Sequence, residues 1–316
     1  MRTTAVRTEL AAGRARAEGV STLNRRDFCA ATGALLAGGC SHVAPPRPAS
    51  VDVAPLARLE QRVGGRLGVF AVEARSGAIV EHRADERFAM CSTFKWALAA
   101  AILVRCDRGE LSLAESLPFG PKDLLEYAPV TRARVAQGAL TIEELTRAVV
   151  VVSDNTAANL LLERIGGPSA VTGFFRGLGD EVTRLDRNEP MLNTNLPGDP
   201  RDTTSPRAMA RSLQRALSLP VSSPASRDRL LAWLSASTTG AARLRAGLPD
   251  GWRAGDKTGT GNNGACNDVA VLWSPAGEVW FVAAYLSDGR ASVDDMNAAH
   301  AAIGRFVAAV RPPDAS

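Results

Sequence analysis

The chain is 316 residues long and 46% hydrophobic, enough to bury a substantial core, which excludes a disordered polymer. Its formal charge of +4 is concentrated at the start: residues 1–40 hold six arginines against Glu9, Glu18 and Asp27, and the remainder is nearly balanced. Nucleic-acid binding needs a clustered basic face, and nothing in the sequence supplies one.

In chain order, Asn24-Arg25-Arg26-Asp27-Phe28 precedes a short apolar run of small residues from Ala30 to Gly39. A charged stretch before an apolar core too short to span a bilayer reads as an export signal over 1–40. Its paired arginines point to the twin-arginine route and a periplasmic destination. Leu36-Ala37-Gly38-Gly39-Cys40 resembles a lipoprotein cleavage box with one extra glycine, so Cys40 is either lipidated or removed with the leader. Pro45, Pro46 and Pro48 stiffen a tether over 41–55, and the folded unit is expected over 56–316 as one catalytic domain of two lobes. Cys91, Cys106 and Cys266 fall within it, an odd number that describes no disulfide framework.

Helical spacing runs from Leu56 to Val63, followed by strands at Leu67–Val72 and Ala78–Val80 joined by a turn at Arg75-Ser76-Gly77. From Phe94 to about Arg108 the pattern is helical and apolar nearly all round, which suits burial at the centre of a domain. Further helices are expected at Ile142–Val152, Thr156–Ile165, Ala170–Leu178, Arg207–Leu217 and Arg227–Ala236. Between Arg184 and Asp202 no periodicity appears, and irregular stretches of this length are usually functional or disordered. Strands at Arg253–Thr260, Asp268–Ser274 and Val279–Leu286 precede a last helix from Asp294 to about Val310. Strands at both ends around a helical middle imply an α+β fold: one antiparallel sheet built from the two chain ends, with an all-helical lobe inserted between.

Lysine usage singles out the chemistry. Only Lys95, Lys122 and Lys257 are lysines among 37 basic residues. Arginine stays charged, whereas a lysine can be tuned to release its proton. Lys95 closes Ser92-Thr93-Phe94-Lys95, a spacing that puts Ser92 and Lys95 on one helical face, so Lys95 is a candidate base for a Ser92 nucleophile. Ser153-Asp154-Asn155 interrupts an apolar helix. Ser153 is placed to relay a proton, Asn155 to hold an amide, and Asp154 to cap the next helix. Lys257-Thr258-Gly259-Thr260 falls on an expected edge strand. There Lys257 can hold a carboxylate, Gly259 permits close backbone approach, and the Ser92 and Thr260 amides can form an oxyanion hole. His42, His82 and His300 are the only histidines, and none accompanies a serine in a recognisable motif. A Ser-His-Asp site and a histidine-ligated metal centre are both disfavoured.

These three motifs, in this order, resemble those of the class A serine β-lactamases, and a fourth agrees: Arg187-Asn188-Glu189-Pro190-Met191-Leu192-Asn193. The resemblance covers roughly residues 56–312. It implies that Glu189 and Asn193 hold the water that hydrolyses the acyl-enzyme, and that Arg187 and Asp202 close an omega-shaped loop. It also implies that Phe119 is the aromatic at the cleft entrance and Arg243 a second contact for the substrate carboxylate. Lys257, Thr258, Gly259 and Thr260 would bind substrate, no cofactor or metal is required, and the base for acylation stays open between Lys95 and Glu189. The partners implied are small β-lactams, penicillins and then cephalosporins. No nucleic acid is expected, membrane contact comes only through a lipid on Cys40, and the protein is expected as a monomer. Relatives with carbapenem activity join the cysteine before the nucleophile to a cysteine where this chain has Gly261, which puts that activity in doubt. A D-Ala-D-Ala peptidase or a penicillin sensor would share the first three motifs but should lack the placed Glu189.

Overall fold

The structure, a computed structural model, describes residues 51–311; the expected leader and most of the tether lie outside the described residues. The chain opens with α1 (Ala54–Val63), β1 (Arg66–Glu73), β2 (Ile79–His82) and the short β3 (Phe88–Ala89), then a 3-10 turn at Cys91–Phe94 that leads into α2 (Lys95–Asp107). Next come β4 (Ser116–Pro118), α3 (Pro129–Ala133), β5 (Ala139–Thr141), α4 (Ile142–Val151), α5 (Asn155–Ile165) and α6 (Pro168–Gly177). After the irregular segment follow β6 (Thr203–Thr204), α7 (Pro206–Ser218), α8 (Pro224–Ser235), β7 (Arg253–Thr260), β8 (Cys266–Trp273), β9 (Val279–Ser287) and α9 (Val293–Ala309).

The main sheet has the order β2-β1-β9-β8-β7, antiparallel throughout, so strands from both chain ends share it as the sequence implied. Alternation along β1 explains its continuous apolar run. Leu67, Val69 and Ala71 face a cluster with Leu56 and Leu59 of α1 and Ile303 and Val307 of α9. Phe70 and Val72 face the opposite way, into the core shared with the helical lobe. A sheet covered on both faces has no reason to alternate apolar with polar.

Helix α2 is the axis of the helical lobe. Every residue from Lys95 to Val104 is buried, as expected of a helix apolar all round. Thr141 caps α4 with a capping box closed by Glu144, and Asp154 caps α5 by accepting from the Ala157 N–H at 2.9 Å. The irregular segment stays irregular, with a single 3-10 turn at Met191–Asn193. Among the described residues no helix is long and apolar enough to cross a membrane.

Candidate active site

The site lies where the first turn of α2, the start of α5, strand β7 and the irregular segment meet, around a cleft of about 320 Å³. Ser92 sits in the 3-10 turn and Lys95 in the first turn of α2. The residue before the nucleophile, Cys91, has φ 47°, and Ser153 has φ 62°. Left-handed backbone at a non-glycine residue costs on the order of 1–3 kcal/mol, and such strain gathers at functional sites. Here it turns Ser92 and Ser153 toward the same space.

Lys95 is fully buried, and its ammonium is surrounded by acceptors. Its Nζ lies 2.9 Å from Glu189 Oε1, 2.9 Å from the Ser153 carbonyl, 2.5 Å from Asn155 Oδ1 and 3.3 Å from Ser153 Oγ. Burial pushes the Lys95 pKa down, and the Glu189 carboxylate pulls against that shift. The spacing of the two residues places them on one helical face, with Lys95 a candidate base; the hydrogen bond of the Ser92 hydroxyl goes instead to Glu189 Oε1, at 3.1 Å. A three-residue spacing fixes a shared face only, and the carboxylate from a distant segment is the stronger acceptor.

Lys257 is the second buried lysine. Its Nζ donates to Ser153 Oγ at 3.0 Å and to the Thr258 carbonyl at 2.8 Å, so the Ser153 hydroxyl lies within reach of both lysines. Burial first, and then the neighbouring Lys95 charge, push the Lys257 pKa well below 10.5. Strand β7 is an edge strand, as expected, and it presses against the nucleophile segment. A Cβ on Gly259 would fall 2.7 Å from the Met90 carbonyl oxygen and 3.2 Å from the Ser92 nitrogen, so only glycine allows this approach. Ser92 and Thr260 thereby line one cleft.

Glu189 is held by both ends. Its amide donates to Asn159 Oδ1 at 3.0 Å, its carbonyl accepts from Asn159 Nδ2 at 2.9 Å, and Oε2 accepts from Asn193 Nδ2 at 2.5 Å. Asn193 lines the cleft, and its Oδ1 is buried with no protein partner. Asp202 closes the segment as the resemblance implied. It accepts from the amides of Asp186 (2.7 Å) and Arg187 (2.9 Å) and from Arg187 Nε (2.5 Å), while its own carbonyl accepts from the Met90 N–H at 2.8 Å. The segment is also laced to the β7–β8 turn: Asn263 Nδ2 donates to the carbonyls of Thr194 (3.2 Å) and Asn195 (3.0 Å), and the Asn262 N–H donates to the Asn193 carbonyl.

One expectation needs correction. Phe119 is not at the cleft: it is buried in the helical-lobe core, with its N–H on the Gly138 carbonyl. The aromatic at the cleft mouth is Tyr127, 51% exposed, whose carbonyl accepts from the Asn155 N–H. Arg243 lines the cleft but spends most of its donors behind it. Its Nη1 binds the carbonyls of Gly259 (2.9 Å) and Asn267 (2.6 Å), Nε binds Asn297, and one Nη2 donor reaches Thr260 Oγ1 at 2.6 Å. Asn159 and Tyr127 were not identified from sequence. The only signal for Asn159 is a poor helix former set directly before a run of three leucines. Cys91 is a free, buried thiol. A Cβ on Gly261 would fall 2.6 Å from its sulfur, so the two positions adjoin and no cysteine stands there to pair with it.

A family described as the Beta-lactamase enzyme family matches residues 53–310. Beta-lactamase L2 of Stenotrophomonas maltophilia is 47% identical over 274 residues, 86% of this chain and 90% of the relative. Beta-lactamase FAR-1 of Nocardia farcinica is 42% identical over 286 residues, covering 86% and 91%. Among solved structures, a class A β-lactamase representing the last common ancestor of Gram-negative bacteria (GNCA4) superposes with a TM-score of 0.79 at 53% identity, over 80% of this chain and 97% of that one.

Proposed function

The chain belongs to the class A serine β-lactamases, and on that premise we propose which residue performs which step of the β-lactam hydrolysis it catalyses. Hydrolysis of β-lactams by a serine enzyme of this family confers antibiotic resistance. One observation carries the division of labour: a single carboxylate, Glu189, touches the Ser92 hydroxyl, the Lys95 ammonium and the Asn193 amide.

Ser92 Oγ attacks the lactam carbonyl while its proton passes to Glu189. Lys95, whose pKa burial pushes down, lies 2.9 Å from the same Glu189 oxygen and can take that proton when Glu189 is displaced, so acylation has two bases where release has one. The oxyanion is held by the Ser92 and Thr260 amides. As the C–N bond breaks, Ser153 delivers its hydroxyl proton to the leaving nitrogen, Lys95 replaces it, and Glu189 passes the proton taken from Ser92 back to Lys95, which restores the carboxylate for the second step. Lys257, Thr258 and Thr260 hold the substrate carboxylate, and the Arg243 charge behind Thr260 reinforces them. Asn155 holds the side-chain amide of the substrate. For release, a water between Glu189 and the free Asn193 Oδ1 gives its proton to Glu189 and attacks the ester. Ser92 leaves with a proton and the ring-opened acid departs.

The experiment is a time course of intact mass after mixing with excess penicillin. Glu189→Ala should retain its penicilloyl adduct, with release slowed about 10³-fold, the scale of a lost general base. Clearance at the unaltered rate would remove Glu189 from this role.

The spectrum proposed is penicillins and cephalosporins, supported by Thr260 and Cys91, which also occur in extended-spectrum members. The absence of a cysteine at Gly261 counsels against carbapenems. Export by a twin-arginine leader to the periplasm, with or without a lipid on Cys40, and a monomeric state complete the proposal; the support for export is the motif at Asn24–Phe28.

A further inference from the structure

Far from the cleft, the second half of α2 and the solvent face of α6 enclose a groove of about 400 Å³. Its floor is apolar: Ala101 and Val104 from α2, Phe174 and Leu178 from α6 and its end, and Val221 from the turn after α7. Leu219, two residues from Val221, is 49% exposed and extends the apolar surface. Grooves of this size with a few convergent polar groups are the usual form of a small-molecule site.

Two features separate this groove from an ordinary surface dent. The first is Gly173, within α6 rather than at its end. Glycine is the least favourable helix residue after proline, and it is kept here without a packing reason, since a Cβ on Gly173 would meet nothing within 4 Å. Any larger side chain would project into the groove, so the glycine holds it open. The second feature is charge. Arg105 and Arg108 stand at the end of α2 on the groove's rim. Arg105 forms no ion pair among the described residues, and Arg108 reaches only Glu110 at 3.9 Å, with both side chains more than half exposed. Long arginine stems can lie along apolar surface while their forks remain free for an anion.

We propose that this groove is a binding site for a single-chain anionic amphiphile, a fatty carboxylate whose tail lies on Phe174, Val104 and Val221 and whose head pairs with Arg105 and Arg108. An apolar trough closed by one unpaired guanidinium, Arg105, and one held only by an exposed contact at 3.9 Å, Arg108, complements a long tail ending in one negative charge. A neutral amphiphile would leave the forks unused, and a cationic one would be repelled. The site shares no residue with the hydrolytic machinery.

The test is isothermal titration of the full chain with dodecanoate below its micellar concentration, run beside dodecyltrimethylammonium and dodecyl maltoside. Dodecanoate should bind saturably at one per chain and at least about tenfold more tightly than either control, the scale of one good charge-assisted pair. Gly173→Leu, which improves helix propensity and fills the trough, should abolish that binding while penicillin turnover stays unchanged. Arg105→Ala with Arg108→Ala should weaken dodecanoate about tenfold and erase its advantage over the neutral amphiphile. Three results would each overturn the proposal: equal affinity for all three amphiphiles, binding that survives Gly173→Leu, or adsorption to anionic vesicles without binding of monomeric dodecanoate.

Discussion

The two halves of the hydrolytic site are built on different principles. Ser92, Lys95, Ser153 and Lys257 stand on or beside α2, α5 and β7, and their positions follow from a core in which both lysines are fully buried. Glu189 and Asn193 stand on a segment with no strand or α-helix from 184 to 202, held by side-chain bonds to backbone rather than by a packed face. A nucleophile rooted in the core is hard to displace without unfolding the protein. A carboxylate hung on individual hydrogen bonds, as Glu189 is, can be moved one bond at a time. Acylation and release should therefore respond differently to substitution, and that difference can be measured.

The largest effect is expected at Asp202. It is wholly buried and satisfies two amides and the Arg187 guanidinium. Asp202→Ala leaves that cation beside a buried void, a change that costs about 3–5 kcal/mol. Thermal unfolding should fall by roughly 10 °C for a domain of this size. In the protein that remains folded, single-turnover kinetics should show release slowed far more than acylation. Equal slowing of both steps would break the comparison, because it would mean that acylation has no base but Glu189.

Asn159→Ala is a finer cut. Its side chain receives the Glu189 N–H and donates to the Glu189 carbonyl, so alanine removes both bonds and touches no reacting atom. Two lost bonds of about 1 kcal/mol each predict release slower by roughly 30-fold, with the acylation rate within a factor of about three. Rapid-quench measurement of both rates decides it. Because Asn159 acts through Glu189, Asn159→Asp should recover only part of the loss, since a carboxylate accepts from the amide but cannot donate to the carbonyl.

How much of this was legible in the sequence follows the same division. The sheet declared itself through apolar runs in β1, β8 and β9, because both faces are covered. The core-rooted site residues declared themselves through chemistry, since three lysines in 316 residues make two placed lysines conspicuous. The contacts between segments did not. Nothing in the spacing of Ser92 and Lys95 says that Glu189 comes between them, since that depends on how residues 184–202 pack. Asn159 is one asparagine among many until the loop it clamps is in place. The stretch from 119 to 141 holds only α3, the three-residue β5 and 3-10 turns, so no periodicity was available to register Phe119 against Tyr127.

Lys257 tests the core-rooted half by pH. Burial and the neighbouring Lys95 charge lower its pKa well below 10.5, so its ammonium is lost at a lower pH than that of an ordinary lysine. For substrates bearing a carboxylate, kcat/KM should fall on an alkaline limb that begins below pH 10.5 and that reflects KM more than kcat. Lys257→Arg keeps the charge and does not titrate in this range, so that limb should move upward. Overpacking in a fully buried position should raise KM about tenfold at neutral pH. An unmoved limb in the arginine variant would assign the titration to another group, with Lys95 the first to examine.

The smallest effect is expected where the two halves open to solvent. Tyr127 is half exposed, and the bond it makes to Asn155 uses its backbone carbonyl, so truncating its ring should leave the machinery in place. The ring can contribute only contact with bound substrate, worth on the order of 1 kcal/mol, and Tyr127→Ala should raise KM by about fivefold at unchanged kcat. Phe119→Ala supplies the opposite pattern, lower thermal stability at unchanged KM, because that ring packs in the core and never meets substrate. If Tyr127→Ala instead lowers kcat, its carbonyl must shift when the ring is lost, and Asn155 and Ser153 with it. The cleft mouth would then belong to the core-rooted half rather than to its rim.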